Sequence, residues 1–202
     1  MSGLQLPSIV GLQRIIPISR GHDPEQVAVV AGALRASGLG IIEITLDSPG
    51  ALESIAGLSS EDQLVGAGTV RSEEAANAAI SAGADFIVSP HLNGRIVAAA
   101  TSRGIPAIAG ALTPTEMVAA WEAGASAVKV FPASIGGARY IRDLRGPFGD
   151  IPLIPTGGVT LDSARDYLDA GAVAVGLGGW LTGTVDPDMI QARASLLRAL
   201  FA

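Results

Sequence analysis

Ala123-Gly124-Ala125-Ser126-Ala127-Val128 runs from a small residue through a glycine into an apolar stretch, and the chain returns to that pattern repeatedly. Ser37-Gly38-Leu39-Gly40-Ile41-Ile42, Ala82-Gly83-Ala84-Asp85-Phe86-Ile87 and Ala170-Gly171-Ala172-Val173-Ala174-Val175 repeat it closely, and Arg103-Gly104-Ile105-Pro106-Ala107-Ile108 repeats it loosely. Each glycine follows an alanine-rich amphipathic segment, where a helix needs a residue that tolerates a left-handed backbone. A short strand-like run follows each glycine. Gly83, Gly104 and Gly124 are spaced by 21 and 20 residues, while Gly38–Gly83 and Gly124–Gly171 span 45 and 47, close to two units. A unit of that length is one helix plus one strand.

Helix starts agree with this period. Asp23-Pro24-Glu25-Gln26 offers an N-cap, a proline at the first helical position and a glutamine at the third. Thr113-Pro114-Thr115-Glu116 offers the same arrangement with a capping-box glutamate. Strands are expected near 14–19, 40–46, 63–67, 85–88, 105–109, 126–131, 151–155 and 173–177, with helices between them and a last helix near 187–200. Eight strands alternating with eight helices make an α/β fold, a (β/α)₈ TIM barrel. No linker or low-complexity stretch divides the chain, so residues 1–202 read as a single domain.

Composition narrows the function. Hydrophobic residues make up 49% of the 202 and charged residues 16%, which suits a large core and argues against disorder. No apolar run is long enough to span a membrane, and residues 1–9 do not resemble a signal peptide. Cysteine is absent and the two histidines, His22 and His91, are far apart, so disulfides and a metal cofactor are not expected. A net charge of −6 disfavours nucleic acid but not a small anionic substrate. A cytoplasmic location fits best.

Lysine occurs once, at Lys129, against twelve arginines. Arginine serves wherever a solvated positive charge is enough; it cannot serve where a neutral amine must attack a carbonyl. Lys129 lies in the apolar strand Ser126-Ala127-Val128-Lys129-Val130-Phe131-Pro132. On strand two, alternation puts Ile41, Glu43 and Thr45 on one face, and a glutamate belongs in the barrel interior rather than under helices. An inward lysine beside an inward carboxylate suits imine chemistry, with Glu43 as proton shuttle. Burial favours a neutral amine and a close carboxylate favours an ammonium, and the sequence does not decide between them. The bland alternative is a buried ion pair without chemistry.

Other strand-end segments read as anion-binding turns. Gly66-Ala67-Gly68-Thr69 is placed after strand three, Pro155-Thr156-Gly157-Gly158 after strand seven, and Gly176-Leu177-Gly178-Gly179 after strand eight. In this fold, phosphate commonly binds at the loops after strands seven and eight. Such glycines are also what a tight turn requires. Arg20 ends strand one and could grip a carboxylate, or simply be solvated. His22 and His91 read as loop residues, and Trp121 and Trp180 as packing residues.

Taken together, Glu43-Ile44-Thr45-Leu46, Gly66-Ala67-Gly68-Thr69-Val70, Ser89-Pro90-His91, Leu112-Thr113-Pro114-Thr115-Glu116, Lys129-Val130-Phe131-Pro132, Gly146-Pro147-Phe148 and Pro155-Thr156-Gly157-Gly158-Val159 resemble a known family. It is the class I pyruvate aldolases acting on 2-keto-3-deoxy-6-phosphogluconate, with relatives acting on the galactonate epimer and on 4-hydroxy-2-oxoglutarate. The resemblance covers nearly the whole chain in family order. It implies metal-independent retro-aldol cleavage to pyruvate and glyceraldehyde 3-phosphate. Lys129 matches the Schiff-base lysine, Glu43 the general base and Thr69 the threonine beside the pyruvyl group. Pro90 and Phe131 match pocket walls, and Arg20 the strand-one arginine. Substrate binding is thus expected of Arg20, Thr69, Pro90, Phe131, Thr156, Gly157, Gly158, Gly178 and Gly179. The family also implies a homotrimer, a small 2-keto acid substrate carrying phosphate, and no partner that is a membrane or nucleic acid.

Three positions depart from the family pattern. Asp47 stands where many phosphogluconate-type members carry a carboxylate-binding arginine; the galactonate-type Asn-Ser-Pro is closer to Asp47-Ser48-Pro49. Gly179 replaces a serine that donates to phosphate, and Ala109 replaces a proline expected after strand five, where loop stiffness would change. Two other readings remain in competition. A phosphosugar isomerase or epimerase on the same barrel would not need Lys129, and an anion-binding barrel would show no turnover.

Overall fold

The structure, a computed structural model, describes residues 4–59 and 62–200. Its elements alternate from end to end: α1 (Ser8–Gln13), β1 (Ile15–Ser19), α2 (Pro24–Ala36), β2 (Ile41–Thr45), α3 (Ala51–Leu58), β3 (Leu64–Gly68), α4 (Glu73–Ser81) and β4 (Phe86–Val88). Then come α5 (Gly94–Thr101), β5 (Ala107–Ala111), α6 (Pro114–Glu122), β6 (Ala127–Val130), α7 (Gly137–Arg145), β7 (Leu153–Pro155), α8 (Leu161–Asp169), β8 (Val175–Leu177), α9 (Gly179–Thr182) and α10 (Pro187–Ala199). The strands are parallel, in the order β7-β6-β5-β4-β3-β2-β1-β8. A bridge between Thr156 and Gly176, and the Val173 N–H donating to Leu153 O at 3.0 Å, close the sheet into a TIM barrel.

Local chemistry explains the repeat. Gly38, Gly83, Gly104, Gly124 and Gly171 all hold positive φ, between 73° and 102°, and so end the preceding helix where a side chain would be strained. Asp23 and Thr113 close the two expected capping boxes, with Gln26 and Glu116. The outward faces of the strands (Ile15, Ile42, Ile44, Val65, Ile87, Val128, Leu153, Val175) pack under the helices in one core cluster. A second cluster fills the lower barrel interior with Ile16, Ile41, Phe86, Val88, Ile108, Ala127, Ile154 and Ala174.

Two features differ from expectation. β5 starts at Ala107 and runs to Ala111, two residues late. Pro106 has no N–H to donate and contributes its carbonyl to Ile87 at 2.9 Å. Ala109 is therefore inside the strand, 1% exposed beneath the helix layer, and is not a loop residue. Second, α1 precedes the first strand and plugs the barrel floor: Val10, Leu6 and Ile9 pack on the interior cluster. At six residues with Gly11 inside, α1 is too short to show periodicity.

Candidate active site

β2 and β6 are not neighbours in the sheet, yet they present Glu43 and Lys129 to each other across the barrel. Lys129 Nζ lies 3.6 Å from Glu43 Oε1. The residues are 5% and 2% exposed, so the pair is shielded from bulk water. Glu43 Oε1 has no hydrogen-bond partner, which leaves lone pairs available for proton traffic. Lys129 Nζ stands 5.6 Å from the Phe131 ring centroid. Ile16, Val88, Ile108 and Ile154 surround the pair from below and enclose a void of about 10 Å³, too small for more than one water.

Room for this pair is made by glycines, and sequence reasoning placed two of them wrongly. Gly66 and Gly68 are not in an anion-binding turn; both belong to β3 and face inward. A Cβ on Gly68 would lie 2.1 Å from Glu43 Oε1, and one on Gly66 would lie 2.1 Å from the Phe86 ring. Gly110, the β5 partner of Lys129, has the Pro90 backbone where its Cβ would be, at 2.2 Å. Gly176 likewise makes way for Thr156: a Cβ there would lie 2.4 Å from Thr156 Oγ1. Gly68→Ala should therefore displace the Glu43 carboxylate. A displacement of about 1 Å in a catalytic group costs roughly 10²-fold in turnover. Steady-state kinetics beside a thermal melt will separate this loss from unfolding.

Above the pair the barrel opens into a cavity of about 380 Å³, lined by Arg20, Lys129, Phe131, Thr156, Gly157, Gly158, Gly178, Gly179 and Trp180 among others. Gly157 and Gly158 take φ of 91° and 77° in the turn after β7. The Phe131 ring stands over Gly157, where a Cβ would approach it to 3.0 Å. Gly178 precedes α9, and the buried Thr182 hydroxyl ties this turn to β1 through Ile18 O and Gly178 O. Trp180 packs as expected: Arg193 stacks on its ring and donates to its carbonyl at 2.8 Å, though the residue also edges the cavity.

Arg20 does not stand free. Its Nη1 donates to Asp47 Oδ2 at 2.5 Å and its Nη2 to Thr69 Oγ1 at 2.7 Å. Thr69 holds φ of 56°, unusual for a β-branched residue. It reaches the cavity through Arg20 and is not part of the lining; Pro90 is likewise outside the lining, its backbone packed against the inward side of Gly110. His22 bonds Ser19 through Nδ1 at 2.9 Å, and the exposed His91 has its carbonyl bound by Ser89 Oγ at 2.7 Å. Among the described residues, no three His, Asp or Glu side chains gather as a metal site. No described helix is long and apolar enough to cross a membrane.

Two groups with shifted acidity meet at the β5–α6 turn and serve structure. Backbone N–H groups of Leu112 and Thr113 hold the Glu116 carboxyl below its usual range. Burial, then the Glu116 charge, pushes the Tyr140 phenol up, and its hydroxyl donates to Leu112 O at 2.5 Å. Together they brace the β5–α6 turn against α7.

Comparison with known proteins agrees with this geometry. The family model described as KDPG and KHG aldolase matches residues 6–194. The 2-dehydro-3-deoxy-phosphogluconate aldolase of Treponema pallidum is 37% identical over 171 residues, 83% of this chain and 81% of its own. The 2-dehydro-3-deoxy-6-phosphogalactonate aldolase of Escherichia coli is 35% identical over 168 residues, 81% of this chain and 82% of its own. A solved KDPG aldolase from Legionella pneumophila, holding pyruvate as a covalent carbinolamine intermediate, superposes with a TM-score of 0.79 at 27% identity. That likeness covers 96% of this chain and 94% of the other. The chain belongs to the KDPG and KHG aldolase family.

Proposed function

We propose that this protein is a class I aldolase that cleaves a 2-keto-3-deoxy-6-phospho sugar acid, of gluconate or galactonate type, to pyruvate and glyceraldehyde 3-phosphate. The observation that carries the reading is the buried Lys129–Glu43 pair, 3.6 Å apart at the base of an open cavity. Lys129 Nζ, as a neutral amine, attacks the C2 ketone to form a carbinolamine. Glu43 gives a proton to the departing hydroxyl, and a protonated imine results. Glu43, now a carboxylate, takes the C4 hydroxyl proton so that the C3–C4 bond breaks; the electron pair of that bond flows into the iminium and leaves an enamine, to whose C3 Glu43 can return the proton. The aldehyde departs, the enamine takes a proton at C3, and water hydrolyses the pyruvyl imine.

In this reading Thr69 serves the carboxylate side, Arg20 reaches from Thr69 to the glycine-lined mouth where the tail lies, and Pro90 fills the wall beside Gly110. Phe131, Thr156, Gly157, Gly158, Gly178 and Gly179 hold the phosphorylated tail, through backbone N–H groups. By family analogy we expect a cytoplasmic homotrimer needing no metal. The test is borohydride reduction in the presence of pyruvate: the expected product is a pyruvyl adduct on Lys129 by mass spectrometry. Its absence ends the proposal, and activity without an adduct would favour the isomerase reading.

Gly179 gives a sharper test of the phosphate subsite. A Cβ there meets no heavy atom within 4 Å, so the family's serine fits without strain. One added neutral donor contributes about 0.5–1.5 kcal/mol. Gly179→Ser should then lower KM for the phosphorylated substrate by roughly two- to tenfold, read by steady-state kinetics. An unchanged KM would place the phosphate elsewhere.

A further inference from the structure

We propose that Asp47 is a specificity-determining residue of this site: by pairing with Arg20, it limits how strongly the cavity mouth holds a dianionic substrate tail. The proposal rests on the aldolase reading and adds what sets its preference between phosphorylated and unphosphorylated substrates. Two basic side chains, Lys129 and Arg20, line the cavity. Each already faces a carboxylate, Lys129 that of Glu43 at 3.6 Å and Arg20 that of Asp47 at 2.5 Å. The turn at Gly178 and Gly179 brings no side-chain donor. Among the described residues lining the cavity, an incoming phosphate therefore meets backbone dipoles but no side-chain cation without a facing carboxylate.

Asp47 lies on the turn after β2, half-exposed and outside the cavity lining. It acts through Arg20 and does not touch the reacting atoms. Arg20 is held at a second point, by Thr69 Oγ1 at 2.7 Å, which is independent of Asp47. An asparagine can still accept from Arg20 Nη1, so Asp47→Asn removes the charge and keeps the geometry. An exposed ion pair contributes up to about 1 kcal/mol, which corresponds to roughly fivefold at most in an equilibrium. The effect on specificity is thus bounded and electrostatic.

The experiment compares kcat/KM for 2-keto-3-deoxy-6-phosphogluconate with that for its unphosphorylated counterpart, in the native protein and in Asp47→Asn. The ratio of phosphorylated to unphosphorylated should rise about two- to fivefold at low ionic strength, and the gain should shrink in about 1 M salt, where screening is short-ranged. A ratio that stays level or falls would overturn the proposal and make Asp47 a mere anchor for Arg20. A gain that survives high salt would overturn it too, because the cause would not be charge. Borohydride trapping of pyruvate on Lys129 is run on both proteins. Without an adduct in the native protein the aldolase reading fails and this proposal with it; with an adduct, the ratio alone decides.

Discussion

Lys129→Arg is expected to lose turnover by about 10⁴-fold or more, the scale seen when a covalent nucleophile is removed. Arginine keeps a positive charge opposite Glu43, so the buried carboxylate is not left unpaired. Its guanidinium does not deprotonate and cannot form the imine. The larger head must fit beside a void of about 10 Å³, but the open cavity lies on its other side. Overpacking should cost about 1–3 kcal/mol, which a thermal melt will show as a lowered Tm with a cooperative transition retained. Assay and borohydride trapping together check the prediction. Retained activity would show that chemistry does not pass through this nitrogen, as an isomerase would require.

Glu43→Gln is expected to separate two steps that the native protein runs together. Glutamine is nearly isosteric and keeps an oxygen toward Lys129, but it cannot take and return a proton. The Lys129 amine remains in place and still attacks pyruvate. Trapping should therefore still yield some adduct on Lys129. Turnover should fall about 10²- to 10⁴-fold, the range for general acid–base catalysis. Single-turnover kinetics would show imine formed and consumed slowly. An unchanged rate would remove Glu43 from the proton path.

Much of this was readable from sequence because it rests on local rules. The glycine after each helix has positive φ wherever the repeat placed it, and the alternation in β2 put Glu43 inside. Lys129 was conspicuous as the lone lysine, and its strand position fixed its direction. What stayed hidden depends on contacts between distant segments. Arg20 meets Asp47 across 27 positions and Thr69 across 49, and no pattern in either segment announces it. Gly66 and Gly68 looked like a turn, since glycine's lack of a side chain serves a bend and a crowded interior equally. Only the position of Glu43 and Phe86 shows which applies. The place of Ala109 within β5 is hidden in the same way, because the onset of that strand depends on how Pro106 pairs with its neighbour.

The stopper formed by α1 dictates traffic. With Val10 and its neighbours sealing the far end, substrate enters and both fragments leave through the same doorway. On the aldolase reading the aldehyde occupies the outer position and pyruvate remains tethered deeper down. The departure sequence is then fixed, aldehyde first, and free pyruvate returning through that doorway competes directly with the next sugar acid.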